Sequence, residues 1–316
     1  MIKSEPRNPS PEPRSPAAAL RVANAPCSWG ALEFNWAGSR PPFAQVLDEM
    51  ASTGYIGTEL GQWGFMPTEP DALRGELGER GLSLVGAFVP VRLTVEDDHQ
   101  SGVDEAVRVG GLLAASAGST PFVVLSDATA RDPERTRIAG RVRPEDGLDD
   151  KSWDTVARGA NRIANAVKEA TGLRTVFHHH CATFVETGEE IDTLMRLTSA
   201  AVGLCLDTGH AAFGGGDPVA ILNRHRDRVR HVHFKDCSPS VAAAARRERL
   251  DYVSAVRRGI FCELGRGSVD FEAILDELRR RSYDGWIVVE QDVLPSLGTP
   301  AESAARNRAF LRTLGV

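Results

Sequence analysis

Four short apolar segments in the second half of the sequence each end on residues that could bind a metal ion or move a proton. These segments are Thr175–His180, Gly203–His210, Arg230–Asp236 and Trp286–Glu290. A buried strand followed directly by His, Asp or Glu is how a parallel barrel brings functional groups to one rim. Mixed imidazole and carboxylate ligands suit Mn²⁺, Co²⁺, Fe²⁺ or Zn²⁺. The pattern therefore predicts one divalent metal held by several consecutive strands.

The spacing within two of these segments places several polar groups on the same side of a strand. Side chains alternate between the two faces, so residues two apart point the same way. His231, His233 and Lys235 therefore share one face, and Glu290 and Asp292 share another. Imidazole and ammonium groups are costly in an apolar layer unless they have partners. A metal ion with carboxylates beside it would supply those partners.

Each of these residues also has a structural interpretation. A single histidine at a strand end is more often hydrogen-bonded than metal-bound. Asp207 could cap the turn that follows it, and Glu290 could pair with an arginine on a neighbouring strand. Glu59, at the end of another apolar run, could face a substrate or be a surface charge. We expect His99 and His225, which lie in charged surroundings, to be solvated.

Strand-like and helix-like segments alternate along most of the chain. Apolar runs rich in β-formers lie at 21–25, 55–60, 82–89, 121–126, 174–178, 203–207, 229–233 and 285–290. The intervening segments carry apolar residues three and four apart, as an amphipathic helix requires. Eight such repeats predict an α/β fold, a single (β/α)₈ TIM barrel over residues 21–316. An open doubly wound sheet is the alternative, and it is disfavoured because no Gly-x-Gly-x-x-Gly follows the first strand.

Charge and composition restrict the partners of the chain. Its 316 residues carry a formal net charge of −6, which disfavours binding to nucleic acid or to an anionic membrane. No apolar stretch reaches the length of a membrane span, and the five cysteines have no paired spacing. Residues 1–20 are rich in Pro and Ser, so we expect a disordered tail there rather than a secretory signal. A cytoplasmic protein is the simplest expectation.

Two connections are long for links between a strand and a helix. They run from Asp127 to Asp150 and from Asp236 to Phe261, and both leave a predicted strand at the rim where the active site of a barrel lies. They could cover a substrate or be surface insertions, and the sequence supports both interpretations equally.

Several motifs resemble those of the inosose dehydratases, which belong to the xylose-isomerase-like barrel superfamily of sugar isomerases and epimerases. The likeness extends over nearly all of the chain from about residue 21. The motifs are Asn24-Ala-Pro-Cys-Ser-Trp-Gly-Ala-Leu-Glu-Phe34, His178-His-His-Cys-Ala-Thr183, Leu206-Asp-Thr-Gly-His210, His231-Val-His-Phe-Lys-Asp236 and Gly265-Arg-Gly-Ser-Val-Asp-Phe271.

This resemblance implies a set of site residues. In the superfamily the metal ligands are a Glu, an Asp, a His and a Glu on strands five to eight, and the last three correspond here to Asp207, His233 and Glu290. The strand-five glutamate is replaced by a pair of histidines, of which His180 is the candidate fourth ligand. Mn²⁺ or Co²⁺ is the expected ion, with Zn²⁺, Fe²⁺ and Mg²⁺ as alternatives. The remaining expected roles are acid/base chemistry for Lys235, His210 and Glu59, and substrate binding for Trp29, His178, His231 and Arg266.

The function implied by the resemblance is removal of water from 2-keto-myo-inositol (scyllo-inosose) through a metal-stabilised enediolate. Loss of the strand-five carboxylate fits elimination better than epimerisation, which needs two bases. A ketose isomerase or epimerase, or a dehydratase of another keto-sugar, is the first alternative, and an inactive sugar-binding protein is the second. The acidic charge disfavours the DNA-repair endonucleases of the same superfamily. The expected partner is a small polyol or keto-sugar, and the choice between a monomer and a homo-oligomer stays open.

Overall fold

The computed structural model describes residues 20–30, 41–118, 120–292, 294 and 298–316. The tail predicted over residues 1–20 lies outside the described residues except for Leu20, and so do residues 31–34 of the N-terminal motif. Both remain predictions from the sequence.

Eight parallel strands close into a barrel, as the sequence predicts. Around the barrel the order is β1-β10-β7-β6-β5-β4-β3-β2, so neighbours in the chain are neighbours in the sheet. The eight barrel strands lie within two or three residues of the predicted runs. They are β1 (Arg21–Asn24), β2 (Gly57–Glu59), β3 (Ser83–Val91), β4 (Phe122–Asp127), β5 (Arg174–His178), β6 (Val202–Asp207), β7 (Val229–Phe234) and β10 (Trp286–Val289).

Helices follow the strands and cover the barrel. The apolar residues that predict helices from their spacing are buried, for example Ile163 in α5 and Leu275 in α11. The described helices are α1 (Phe43–Ser52), α2 (Pro70–Glu79), α3 (Asp98–Ser116), α4 (Pro133–Ile138), α5 (Asp150–Thr171), α6 (Gly188–Leu197), α7 (Thr208–Phe213), α8 (Pro218–Arg224), α9 (Pro239–Glu248), α10 (Tyr252–Arg257), α11 (Phe271–Arg280) and α12 (Pro300–Thr313).

The two long connections fold into small elements at the rim of the barrel. The first contains α4 and a 3₁₀ turn (Pro144–Asp146), and the second contains α9 and α10. A two-stranded antiparallel ribbon of β8 (Asp236–Cys237) and β9 (Phe261–Cys262) closes the second connection at its base.

A buried carboxylate joins the first connection to the loop after β5. Glu186 accepts hydrogen bonds from the backbone N–H of Gly140, at 2.6 Å, and of Ala182, at 2.8 Å. Beside it Arg135 makes a two-pronged ion pair with Glu190, at 2.8 and 2.9 Å, and both side chains are buried. These contacts fix the loops that surround the ends of β4 and β5.

Asp236 has a structural role next to the rim. Its carboxylate accepts hydrogen bonds from the backbone N–H of Gly265, Gly267 and Val269, at 2.9, 2.8 and 3.1 Å. A Cβ at Gly267 would lie 2.2 Å from Asp236 Oδ1, so only glycine fits there. The Gly-Arg-Gly motif is therefore a loop wrapped around a carboxylate.

Two further expectations can be compared with the structure. Within the described residues no helix is both long enough and apolar enough to cross a membrane. The expectation that His99 is solvated is wrong, because its side chain is 3% exposed and its Nε2 lies 2.8 Å from the carbonyl oxygen of Leu93. His225 is also largely covered, with Nε2 2.7 Å from Asp192 Oδ1.

Candidate active site

Four side chains from consecutive strand ends converge at the carboxyl rim of the barrel. His178 ends β5, Asp207 ends β6, His233 lies in β7 and Glu290 follows β10. One ligand atom from each lies within 4.8 Å of the others. His178 Nε2 is 3.6 Å from Asp207 Oδ2, and His233 Nδ1 is 3.1 Å from Glu290 Oε1. We call these four residues the rim cluster.

The rim cluster has the properties of a divalent metal site. Asp207 Oδ2 and His233 Nδ1 are buried and have no hydrogen-bond partner among the described residues. A buried carboxylate oxygen without a partner is costly, and a bound cation would remove that cost. Two imidazoles and two carboxylates are also a donor set typical of transition-metal ions. The residues present therefore fit a divalent ion.

Asp207 is held from both sides by the backbone around it. Its Oδ1 accepts a hydrogen bond from the backbone N–H of His210 at 2.7 Å, and its own N–H donates to His179 Nε2 at 3.2 Å. Burial raises the pKa of Asp207, but His178 and Lys235 outweigh that effect and the net shift is downward. The carboxylate is therefore charged and oriented, with Oδ2 directed towards the cluster.

Lys235 lies beside the rim cluster in an acidic environment. Its Nζ is 3.1 Å from Glu290 Oε2 and 3.9 Å from Asp292 Oδ2. Burial lowers the pKa of Lys235, but Asp292, Glu290 and Asp207 outweigh it and raise the pKa well above its usual value. The structure surrounds the ammonium with carboxylates, which keep it protonated.

The Asp-Thr-Gly-His motif after β6 packs directly on Lys235. Thr208 Oγ1 donates to the carbonyl oxygen of Lys235 at 2.6 Å and accepts from its N–H at 3.0 Å. A Cβ at Gly209 would lie 2.6 Å from Lys235 Cγ. The threonine therefore fixes the backbone of Lys235, and the glycine leaves room for its side chain.

His180 and His210 form a close pair of rings, tilted by 40°, next to this lysine. Their ring centroids are 3.7 Å apart, and His210 Nε2 lies 3.5 Å from Lys235 Nζ. His180 Nδ1 lies 2.6 Å from the carbonyl oxygen of Cys181, so Nδ1 carries the proton. Burial lowers the pKa of His180 to about 3, and burial also lowers that of His210 well below its usual value. Both imidazoles are therefore neutral near pH 7.

Glu59 lies behind the rim cluster. Its Oε1 is 2.8 Å from His231 Nε2 and 3.0 Å from His233 Nε2, and all three side chains are buried. Burial raises the pKa of Glu59, but the two histidines outweigh burial and lower the pKa to about 2. The sequence left open whether Glu59 is a surface charge, and the structure shows that it is buried in the barrel mouth.

A cavity of about 360 Å³ opens above these groups. Its floor is polar, with His178, Lys235, Glu290 and Asp292, and Oδ2 of Asp292 is buried without a hydrogen-bond partner among the described residues. Its walls are mainly apolar, and both long connections contribute to them. The wall residues include Ala25, Pro26, Cys27, Leu60, Trp63, Phe88, Pro90, Val109, Thr129, His180, Tyr252 and Val256.

The four residues predicted to bind substrate lie in different surroundings, and only one of them lines the cavity. His178 lines the cavity, but it also belongs to the rim cluster in place of His180. His231 lies below the cavity floor, bonded to Glu59. Trp29 is buried with its indole N–H donating to Glu49 at 2.7 Å, and it does not line the cavity. The side chain of Arg266 is 70% exposed and pairs with Glu263.

The sequence analysis assigns no functional role to Asp292 or Tyr252, although both line the cavity. Asp292 shares a strand face with Glu290, and that alternation was a signal from which its position could be inferred. Tyr252 comes from α10, and its hydroxyl lies 3.5 Å from His180 Nε2. No local pattern marks Tyr252, because the fold of the second long connection alone brings it to the cavity. His210, an expected acid/base residue, is fully buried behind Lys235 and does not line the cavity.

Comparison with known proteins gives consistent matches over nearly the whole chain. The xylose isomerase-like TIM barrel family matches residues 47–314. An inosose dehydratase from Geobacillus kaustophilus is 35% identical over 301 residues, covering 93% of this chain and 94% of that protein. A rhizopine catabolism protein from Rhizobium meliloti is 37% identical over 291 residues, covering 91% and 86% of the two chains.

Solved structures show the same fold at lower sequence identity. A probable 3-DHS dehydratase from Bacillus anthracis has a TM-score of 0.67 and 15% identity, over 93% of this chain and 99% of that chain. A 3-keto-D-glucoside 4-epimerase from E. coli has a TM-score of 0.64 and 18% identity, over 93% and 99% of the two chains. At these sequence identities the likeness shows the barrel fold and its topology, and nothing beyond the fold.

Proposed function

Because the chain belongs to the inosose dehydratases within the xylose isomerase-like TIM barrel family, we propose that it removes water from scyllo-inosose with the help of a divalent ion. The enzyme class, a carbon–oxygen lyase, follows from that family. The observation that carries the proposal is the cavity floor, where His178 and Glu290 of the rim cluster, the Lys235 ammonium and the Asp292 carboxylate line the same space.

The residues of the rim cluster would hold the ion. A divalent ion bound there would act as a Lewis acid on the ketone oxygen and make the neighbouring C–H more acidic. The set of two imidazoles and two carboxylates is compatible with Mn²⁺ or Co²⁺ and with Zn²⁺, Fe²⁺ or Mg²⁺ as alternatives. His178 takes the place of the strand-five ligand in this proposal, and His180 remains on the cavity wall.

Lys235 and Asp292 have suitable positions for the two proton transfers. Removal of water needs a base for the proton on the carbon next to the ketone and an acid for the hydroxyl that leaves one carbon further on. Asp292 is a candidate base, because it lines the cavity, its Oδ2 has no hydrogen-bond partner among the described residues, and burial raises its pKa. Lys235 is a candidate acid, because neighbouring carboxylates keep it protonated.

The cavity walls suit a ring with equatorial hydroxyls. Such a ring carries its polar groups around the edge and presents C–H groups on both faces. The polar floor can receive one edge, while Phe88 and Trp63 provide apolar and aromatic surface for the faces. An open-chain ketose does not separate polar edges from apolar faces in this way, so it would fit the cavity less well. The wall composition therefore supports a cyclic keto-polyol.

Turnover of scyllo-inosose by the metal-loaded enzyme tests the proposal. We expect metal-stripped protein to be inactive, and re-addition of Mn²⁺ or Co²⁺ to restore formation of an ultraviolet-absorbing trihydroxycyclohexane dione. An isomerase or epimerase would convert a ketose into a stereoisomer without producing that chromophore. Product analysis across keto-inositols and ketoses would then separate the two reaction types, and a stereoisomer as the main product would contradict the dehydratase assignment.

A further inference from the structure

Glu59 makes contacts that differ from those of an acid/base residue. Its Oε1 faces two imidazole nitrogens at once, His231 Nε2 at 2.8 Å and His233 Nε2 at 3.0 Å. A carboxylate accepts hydrogen bonds but does not donate them when it is ionised, so both ring nitrogens must carry protons. Oε1 of Glu59 is therefore engaged with both histidines.

The barrel is locally irregular where this contact forms. The pairing of β2 with β3 shifts between Thr58 and Glu59, so that Glu59 lies opposite Gly86. Irregularities of this kind redirect a side chain and are common next to active sites. A Cβ at Gly86 would lie 3.2 Å from Glu59 Oε1, so the glycine provides space for the carboxylate.

A second irregularity lies under His231. The pairing of β6 with β7 shifts between Leu204 and Cys205, and Cys205 then lies opposite His231. The sulfur of Cys205 and one nitrogen each of His231 and His233 lie within 4.8 Å of one another, and all three residues are buried. His231 is thus packed below the cavity floor, where it can orient Glu59 but is separated from the cavity.

We propose that Glu59 is a positioning residue for the metal ligand His233: it accepts a hydrogen bond from the Nε2–H of His233, and this leaves Nδ1 to face the metal site. His231 donates to the same carboxylate oxygen and fixes its orientation. Two distances support the assignment, since Nε2 of His233 lies 3.0 Å from Glu59 while Nδ1, on the side of the rim cluster, lies 3.1 Å from Glu290. Metal-bound histidines commonly donate their second N–H to a carboxylate in this way.

The inference rests on the metal site of the proposed function and assigns Glu59 a role different from proton transfer. One oxygen of Glu59 contacts two ring nitrogens, which is the geometry of an acceptor that orients a ligand. Glu59 therefore affects turnover through His233 and the ion, and its removal should weaken metal binding.

Metal affinity of the stripped protein measures this role without using activity. Dissociation constants for Mn²⁺ and Co²⁺ would be determined by calorimetry for wild type, Glu59→Gln and Glu59→Leu. Loss of a carboxylate behind a ligating histidine typically weakens metal binding about 10- to 100-fold. We expect the metal affinity of Glu59→Leu to fall by a factor in that range. The affinity of Glu59→Gln should fall less, because its amide oxygen can still accept a hydrogen bond from His233 Nε2–H. Glu263→Gln is the control for general destabilisation and should retain wild-type affinity, because this buried carboxylate pairs with Arg266 and Arg306 and does not line the cavity.

A spectroscopic measurement on wild type keeps the proposal testable if the variants do not fold. In ¹⁵N-histidine-labelled, Zn²⁺-loaded protein, two-bond ¹H–¹⁵N spectra show which ring nitrogen of His233 binds the ion and which carries a proton. We expect zinc at Nδ1 and a proton at Nε2, with His231→Asn aiding assignment. Zinc at Nε2, or metal affinity of Glu59→Leu within threefold of wild type, would overturn the positioning role alone. Wild type that binds no divalent ion would overturn the proposed metal site as well.

Discussion

Lys235 Nζ lies 3.1 Å from Oε2 of Glu290. The other oxygen of Glu290 faces His233 Nδ1 at 3.1 Å. One carboxylate therefore joins the proposed proton donor to the proposed metal ligands. Replacing either residue should affect proton transfer and the metal site to different extents, which makes the two functions separable.

Lys235→Met should retain metal but lose most turnover. The substitution keeps much of the side-chain volume and removes the ammonium, and loss of a general acid typically lowers kcat about 10²- to 10⁴-fold. The effect on KM should be smaller, because the proposed metal site and cavity walls are unchanged. Steady-state kinetics and metal analysis measure both effects, with the exposed Lys151→Met as the control. Turnover within threefold of wild type would show that another group protonates the leaving hydroxyl.

Asp292→Asn should differ from Lys235→Met in the exchange of the substrate's C–H hydrogen with solvent deuterium. If Asp292 is the base, its amide variant cannot remove the proton next to the ketone, so scyllo-inosose incubated in D₂O should take up no deuterium at that carbon through the enzyme. Lys235→Met retains the base and should still catalyse this exchange while elimination is blocked. NMR or mass spectrometry of recovered substrate distinguishes the two. Exchange by Asp292→Asn at the wild-type rate would assign the base to another residue.

The sequence predicts the barrel and three rim residues well for a physical reason. Parallel strands that are buried on both faces appear as continuous apolar runs, and their carboxyl ends meet at one rim. That rule places Asp207, His233 and Glu290 at the rim, the family resemblance indicates them as metal ligands, and in the structure the three side chains converge. Alternation also gives the shared face of Glu290 and Asp292.

The remaining features depend on where strands stop and on how loops fold. Alternation places His178 and His180 on one face, but β5 ends at His178 and the chain then turns, so the two imidazoles have different neighbours. Trp29 and Arg266 were assigned through motifs alone, and the structure uses those motifs for packing and for a loop around Asp236. The burial of His99 depends on Gly159, where a Cβ would lie 2.6 Å from its ring.

The stability of the protein should depend on pH through Glu186. Burial raises the pKa of Glu186 to about 7, although the N–H groups of Gly140 and Ala182 oppose that shift. Because this pKa is above the usual value of 4.5 for an unfolded glutamate, the protonated form contributes stability at low pH that is lost as pH rises towards 7.

Glu186→Gln removes this dependence and provides the test. The free energy of unfolding of wild type, relative to the variant, should fall by about 3 kcal/mol between pH 4.5 and pH 8. Urea unfolding at several pH values measures the difference, and the exposed Glu189→Gln is the control for removal of a charge. A constant difference between wild type and Glu186→Gln over this range would contradict the shifted pKa.

The metal content and the dehydratase activity of Asp207→Ala, measured together, test the central proposal most directly. Asp207 contributes the unpartnered oxygen of the rim cluster and is fully buried, so its removal should abolish metal retention while circular dichroism shows a folded barrel. We predict that wild type retains one divalent ion per chain and converts scyllo-inosose into the dione, and that Asp207→Ala does neither. A folded Asp207→Ala protein with wild-type metal content or wild-type dione formation would contradict the proposed site.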